Sequence, residues 1–165
     1  MQTLSNMRRN SSDYQHIKDV AFVVALGFYL ILGNINIFLS PLVGVFFTYL
    51  LLYLNKEYKS VKDNINIYLI FLYLIFFELS RGFYLFSAVV VFFIVLYFLK
   101  KRIISIFKSE NWIFTIFVIS AYIGTYLINN LFCYLQEKEL FSFNFMYVFY
   151  ILIDSIVSIL LFKKR

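Results

Sequence analysis

Asp154 stands alone in the middle of the apolar run Tyr150–Ser158, and its type and setting make it the residue best placed to do chemistry. A carboxylate at the centre of a membrane-inserted helix costs about 2.5–3.5 kcal/mol on insertion scales, so it must be protonated, paired or turned toward a protein interior. Its functional readings are a partner contact, an ion or proton site, or a ligand contact. Its structural reading is a carboxyl group hydrogen-bonded to a Ser or Asn on a neighbouring helix. The second polar stretch is Glu78–Phe86, whose Glu78 and Arg81 are the only charged residues between Asp63 and Lys100. They are three apart, close enough to pair at a helix end. The stretch reads either as a recognition tip or as a solvated ion pair marking a turn.

Other chemistry finds few residues to work with. His16 is the one histidine and lies outside the apolar segments, and Cys133 is the one cysteine. An intrachain disulfide, a zinc cluster and a histidine-based metal site or proton relay inside a membrane are therefore excluded. There is no Gly-x-Ser-x-Gly elbow, no Ser/His pair within the apolar segments, no pair of carboxylates on one helix face and no phosphate-cradling glycine loop. The expectation is a protein that is not an enzyme and that uses no cofactor or metal. Asn129 and Asn130 are placed to bond across to the last helix. Ser120, Ala121, Gly124 and Thr125 offer small residues for close helix packing. Tyr49, Tyr53, Tyr58, Tyr97, Tyr134 and Tyr147 fall near predicted span ends, where aromatic belts form. Cys133 reads as a small buried apolar residue.

The elements that must position these residues follow from hydropathy. The chain has 165 residues, 62% of them apolar, and a mean hydropathy of +0.83. A soluble domain is nearer 45–50% apolar, so the chain reads as an all-α integral membrane protein, one domain over residues 1–165. The predicted bundle has six transmembrane helices, at about 17–32, 37–54, 65–79, 83–99, 112–135 and 143–162. The first span reads as uncleaved after a polar cytoplasmic tail at 1–19. Ser40-Pro41 falls in the first turns of the second, where a missing N–H is tolerated. The alternative is one helix from Val20 to Leu39 followed by a short re-entrant piece. The third span reaches only about 23 Å at 1.5 Å per residue, so it needs local thinning or burial among other helices. Lys100-Lys101-Arg102 is expected to stop the fourth span, with Ile103–Glu110 amphipathic at the interface.

A net charge of +6 would point to nucleic acid in a soluble protein. Here the basic residues sit in short loops between apolar runs, which points to membrane topology and lipid partners instead. With both ends cytoplasmic, the inside segments hold Arg8, Arg9 and Lys18, then Lys56, Lys59 and Lys62, then Lys100, Lys101, Arg102 and Lys108, then Lys163, Lys164 and Arg165. The outside loops keep only Arg81 and Lys138, so the positive-inside rule is obeyed.

This layout resembles the rod-shape-determining protein MreD family, from roughly Val20 to Arg165. In that family an acidic residue ends helix 3, followed by a Gly-containing turn and a Leu-Gly pair opening helix 4. Glu78 takes the acidic position here, Gly82 the turn and Leu85 the leucine. Pro41 before Leu42-Val43 resembles the family's proline at the start of helix 2, and Leu160–Arg165 resembles its apolar-then-basic ending. The chain departs from the pattern with Glu for Asp at position 78, Phe86 in place of the second glycine, Asp154 where Asn is more usual, and no proline in helix 6. The resemblance implies a non-catalytic, multi-pass scaffold of the inner (plasma) membrane. It would bind an MreC-like single-span protein and couple MreB filaments to the elongation complex and its peptidoglycan-synthesis enzymes, with a homo-oligomer as a further option. Glu78, Arg81, Gly82, Leu85 and Asp154 are the candidate partner-binding or structural residues. MreD-like proteins also resemble in fold the substrate-binding S-components of energy-coupling-factor vitamin transporters, which makes transport the main rival. A small membrane accessory protein of another family is the third reading.

Overall fold

The computed structural model describes residues 24–29, 31–33, 36, 39–53 and 67–163. The basic N-terminal tail, the loop carrying Lys56, Lys59 and Lys62, and the terminal Lys164-Arg165 lie outside the described residues. So do Asn34 and Ile35 of the Gly33–Asn36 break. The described residues are helical and hold no strand. In chain order they form α1 (Val24–Gly33), α2 (Val43–Tyr53), α3 (Ile67–Arg81), α4 (Ser87–Ile94), a π-helical turn at Val95–Leu99, α5 (Lys100–Ile106), α6 (Glu110–Leu135) and α7 (Met146–Phe162). One of them, α6, is long and apolar enough to cross a membrane by itself. Its 26 residues span about 39 Å at 1.5 Å per residue.

The short helix α2 is the hub. Every residue from Val43 to Leu52 is buried, and its side chains pack on α3, α6 and α7. Phe47, Leu50 and Leu51 are fully enclosed. Phe47 meets Phe92 of α4 edge-on at 5.6 Å, and Phe46 meets Tyr73 of α3 at 4.6 Å, separations at which aromatic rings attract beyond simple burial. A helix that is apolar all round must be enclosed by protein or lipid. The outer helices are apolar on both faces too: Tyr68, Leu72 and Phe76 on α3, Leu127 and Leu131 on α6, and Leu152, Ile156 and Leu160 on α7 are all exposed.

Three element boundaries differ from the sequence reading, each for a local reason. The second helix starts at Val43, not near residue 37, and Ser40-Pro41 is non-helical. Leu42 has φ 54°, a left-handed conformation that ends any helix arriving from the N-terminal side. The fourth helix starts at Ser87, because Phe83–Phe86 forms the turn. It then runs through Lys100-Lys101-Arg102 to Ile106, where the basic run was expected to stop it. The cause is the π-turn. Buried positions Ala88, Val91, Phe92 and Val95 keep the ordinary three-to-four spacing, whereas the next buried positions are Lys100 and Ile103. The Lys100 N–H bonds the Val95 carbonyl, and the extra residue in that turn rotates Lys100 into the bundle.

Candidate functional site

Asp154 lies midway along α7 and is fully enclosed. Its carboxylate faces the start of α2. The first amides of a helix have no partner within the helix and carry the positive end of its dipole. Asp154 fills that position from another helix. Oδ2 accepts from the Gly44 N–H at 2.8 Å and from the Tyr122 hydroxyl of α6 at 2.7 Å. Oδ1 accepts from the Ser40 hydroxyl. Donors to a charged acceptor give stronger hydrogen bonds than neutral pairs, and here one carboxyl group joins α2, α6 and α7.

The non-helical backbone before α2 is satisfied in the same way. The Tyr29 hydroxyl of α1 donates to the Ser40 carbonyl, and the Tyr73 hydroxyl of α3 donates to the Pro41 carbonyl. Irregular backbone is tolerated inside such a bundle only where protein groups answer it. At the far end of α2 the buried Lys100 donates from Nζ to the Leu51 carbonyl at 2.6 Å. The hub helix therefore has an anion at its N-terminus and a cation at its C-terminus, both from neighbouring helices and both aligned with its dipole.

Gly44 makes the carboxylate contact possible. A Cβ there would lie 2.6 Å from Val118 Cγ1 and 3.1 Å from Asp154 Oδ2. Gly44→Ala is therefore expected to lower stability by about 1–3 kcal/mol through overpacking. The purified variant's unfolding midpoint in mild detergent, followed by its near-ultraviolet spectrum, measures this.

Glu78 repeats the arrangement at α4. It too is fully enclosed. Oε2 accepts from the Phe86 N–H at 2.7 Å, and Oε1 accepts from the Ser87 hydroxyl at 2.8 Å and from the Ala88 N–H. Both capped helices are preceded by a non-glycine residue in the left-handed region, Leu42 at φ 54° and Phe86 at φ 70°. Gly82, which opens the turn, has φ 71°. Phe86 therefore holds a left-handed conformation that its side chain disfavours. Phe86→Gly is expected to raise stability by about 1 kcal/mol by removing that left-handed penalty. A higher unfolding midpoint with an unchanged helix content checks it.

The structure corrects the ion pair read from the sequence. Glu78 is neither solvated nor bonded to Arg81. Its oxygens are taken by the start of α4, whose first amides have no partner within the helix. Arg81 instead donates to the Gly33 carbonyl at 3.4 Å and lies 5.7 Å from the Tyr150 ring, a cation–π distance. Tyr150 is one turn from Asp154 on α7. Leu85 is exposed at the tip of the turn. Asn129 and Asn130 do not bond across to the last helix. The Asn129 side chain accepts from the Tyr84 N–H at 2.8 Å, holding the α3–α4 turn. Asn130 pairs with the backbone of Phe141 in the α6–α7 loop, accepting at 3.0 Å and donating at 3.3 Å. Gly124 serves internal packing, because a Cβ there would lie 2.5 Å from Val91 Cγ1. Cys133 is buried.

Sequence reasoning missed Ser40, Gly44, Tyr122 and Lys100. The signal for Ser40 was present, since Ser-Pro before an apolar run is a helix-start signature. Tyr122 carried none, being one of 14 tyrosines. Among the described residues no group of three or more His, Cys, Asp or Glu is placed to hold a metal. What the arrangement does chemically is hold two helix starts in place. No protein-family model, no curated protein and no solved structure matches this chain.

Proposed function

We propose that this chain is a multi-pass membrane protein of six spans with both ends cytoplasmic, and that it works as a non-catalytic scaffold resembling MreD. It would bind an MreC-like single-span protein and link it to the wall-elongation machinery of the plasma membrane. The observation that carries the reading is the geometry of the α3–α4 turn. Glu78 caps α4 through Phe86 and Ala88, and left-handed backbone falls at both Gly82 and Phe86, the two positions where the resembled pattern calls for glycine. The exposed apolar residues on α3, α6 and α7 suit a bundle bathed in lipid, and neighbours or local thinning accommodate its shorter helices. Depletion in the native cell, with imaging of cell outline, tests the reading. Rod-shaped cells that round up are the expected result. Unchanged shape together with a new nutrient requirement would overturn it.

One observation favours the transport reading. A cavity of about 330 Å³ opens beside the same turn, lined by Gly82, Phe83, Tyr84, Cys133 and Lys138 among others. Against it, Glu78, Asn129 and Asn130, polar side chains at this end, are already bonded to the protein's own backbone. A tightly bound vitamin in the purified protein would favour transport.

A further inference from the structure

A groove of about 490 Å³ runs along the outside of the bundle between the α4–α5 helix and α6. Val91, Val95 and Leu99 form one wall, and Ile116, Ile123 and Leu127 form the other. Ser120 is the one polar side chain in the lining, and its hydroxyl turns back to the Phe117 carbonyl at 2.8 Å. The lining runs from Ile116 to Ile128 along α6, about 18 Å at 1.5 Å per residue. That is close to one leaflet of a hydrocarbon core ~30 Å thick. A narrow apolar slot of one-leaflet length along the outside of the bundle is the shape of a single extended hydrocarbon chain.

One end of the groove is basic. Leu99 and Ile103 line it there, and Arg102 between them is exposed, as is Lys101. Lys108 stands in the connection to α6, so between Lys101 and Trp112 three basic residues, Lys101, Arg102 and Lys108, face one acid, Glu110. Trp112 lies one turn before Ile116 on the same face and is 62% exposed. Basic residues and tryptophan at one end of an apolar slot are the chemistry of the headgroup level.

We propose that this groove holds one acyl chain of an anionic phospholipid, with its headgroup phosphate against Arg102 and Lys108 beside Trp112. The inference rests on the membrane part of the function above, not on the role in cell shape. Trp112 is the only tryptophan, so its fluorescence reports this site alone. The full chain is reconstituted in phosphatidylcholine vesicles, with brominated phosphatidylcholine or brominated phosphatidylglycerol as quencher. Quenching by either lipid reports embedding, and the ratio between them reports the site. The expected result is at least threefold preferential association of phosphatidylglycerol. That preference falls to parity in an Arg102→Gln/Lys108→Gln double variant and weakens in Ser120→Leu, which fills the groove. Equal quenching by both lipids in the unaltered protein would overturn the proposal. So would a preference untouched by Ser120→Leu, since the lipid would then sit on the basic surface without its chain in the groove. No quenching by either lipid would overturn the membrane reading as well.

Discussion

Replacing Asp154 with alanine is expected to destabilise the bundle by about 3–4 kcal/mol, the largest loss from any single substitution considered. Three donors converge on that carboxylate: the Ser40 and Tyr122 hydroxyls and the Gly44 amide. Each buried donor left without an acceptor costs about 1–3 kcal/mol. Partial relaxation keeps the total below the sum, and interhelical bonds within membranes are individually modest. The loss should be localised. Amide exchange at Gly44 and Val45 should accelerate far more than exchange in α4. Asp154→Asn keeps one acceptor oxygen but turns an N–H₂ toward some of the same donors, so about half the loss is expected. Denaturant titration of the detergent-solubilised variants, with mass-resolved amide exchange, measures both effects. Full stability in the alanine variant would mean that the network is not what holds α2.

Glu78→Ala is expected to cost about 2–3 kcal/mol, because three donors, Phe86 N–H, Ser87 hydroxyl and Ala88 N–H, lose their acceptor. Here the consequence extends beyond stability. The α3–α4 turn keeps its left-handed residues Gly82 and Phe86 only while Glu78 holds the chain after them, so the exposed Leu85 at its tip should become mobile. Glu78→Gln should show a smaller version, since its amide oxygen still serves one or two of the donors. Partner coupling should fail in Glu78→Ala at a level of stability that preserves insertion. The variant's exchange pattern should be confined to residues 82–88, with Gly44 unaffected. Equal acceleration at both helix starts would show that the two caps are not independent.

The sequence made part of this legible. The charges at Glu78 and Arg81 marked the turn between α3 and α4 because few other residues in the middle of the chain are polar. Pro41 reads, in sequence, as lying inside the first turns of a helix from residue 37, whereas α2 starts only after it, at Val43; proline signals that a helix start is near but not on which side of it the first turn lies. Asp154 stood out as a buried carboxylate in need of donors, and a serine on a neighbouring element was among the partners weighed. The partners themselves could not be read. Ser40 and Gly44 are 114 and 110 residues away in sequence, and no periodicity connects them to α7. Glu78 lay three residues from an opposite charge, so local spacing favoured Arg81, whereas the folded chain offers the amides of α4. Hydrophobic periodicity, the usual guide to which face is inward, fails here because the helices are apolar on both faces. That is also why Lys100 read as a stop. A lysine that turns inward through a π-turn to bond the Leu51 carbonyl looks, in sequence, the same as one at a membrane surface.

The central claim is that the chain is a scaffold whose buried polar groups serve its own helix ends. The most direct test is affinity purification of the intact chain from native membranes in mild detergent, with identification of what remains bound. The account predicts a single-span protein of the wall-elongation machinery, retained by the unaltered chain and lost from Glu78→Ala. Recovery of an ATPase module or a bound vitamin in its place would contradict it.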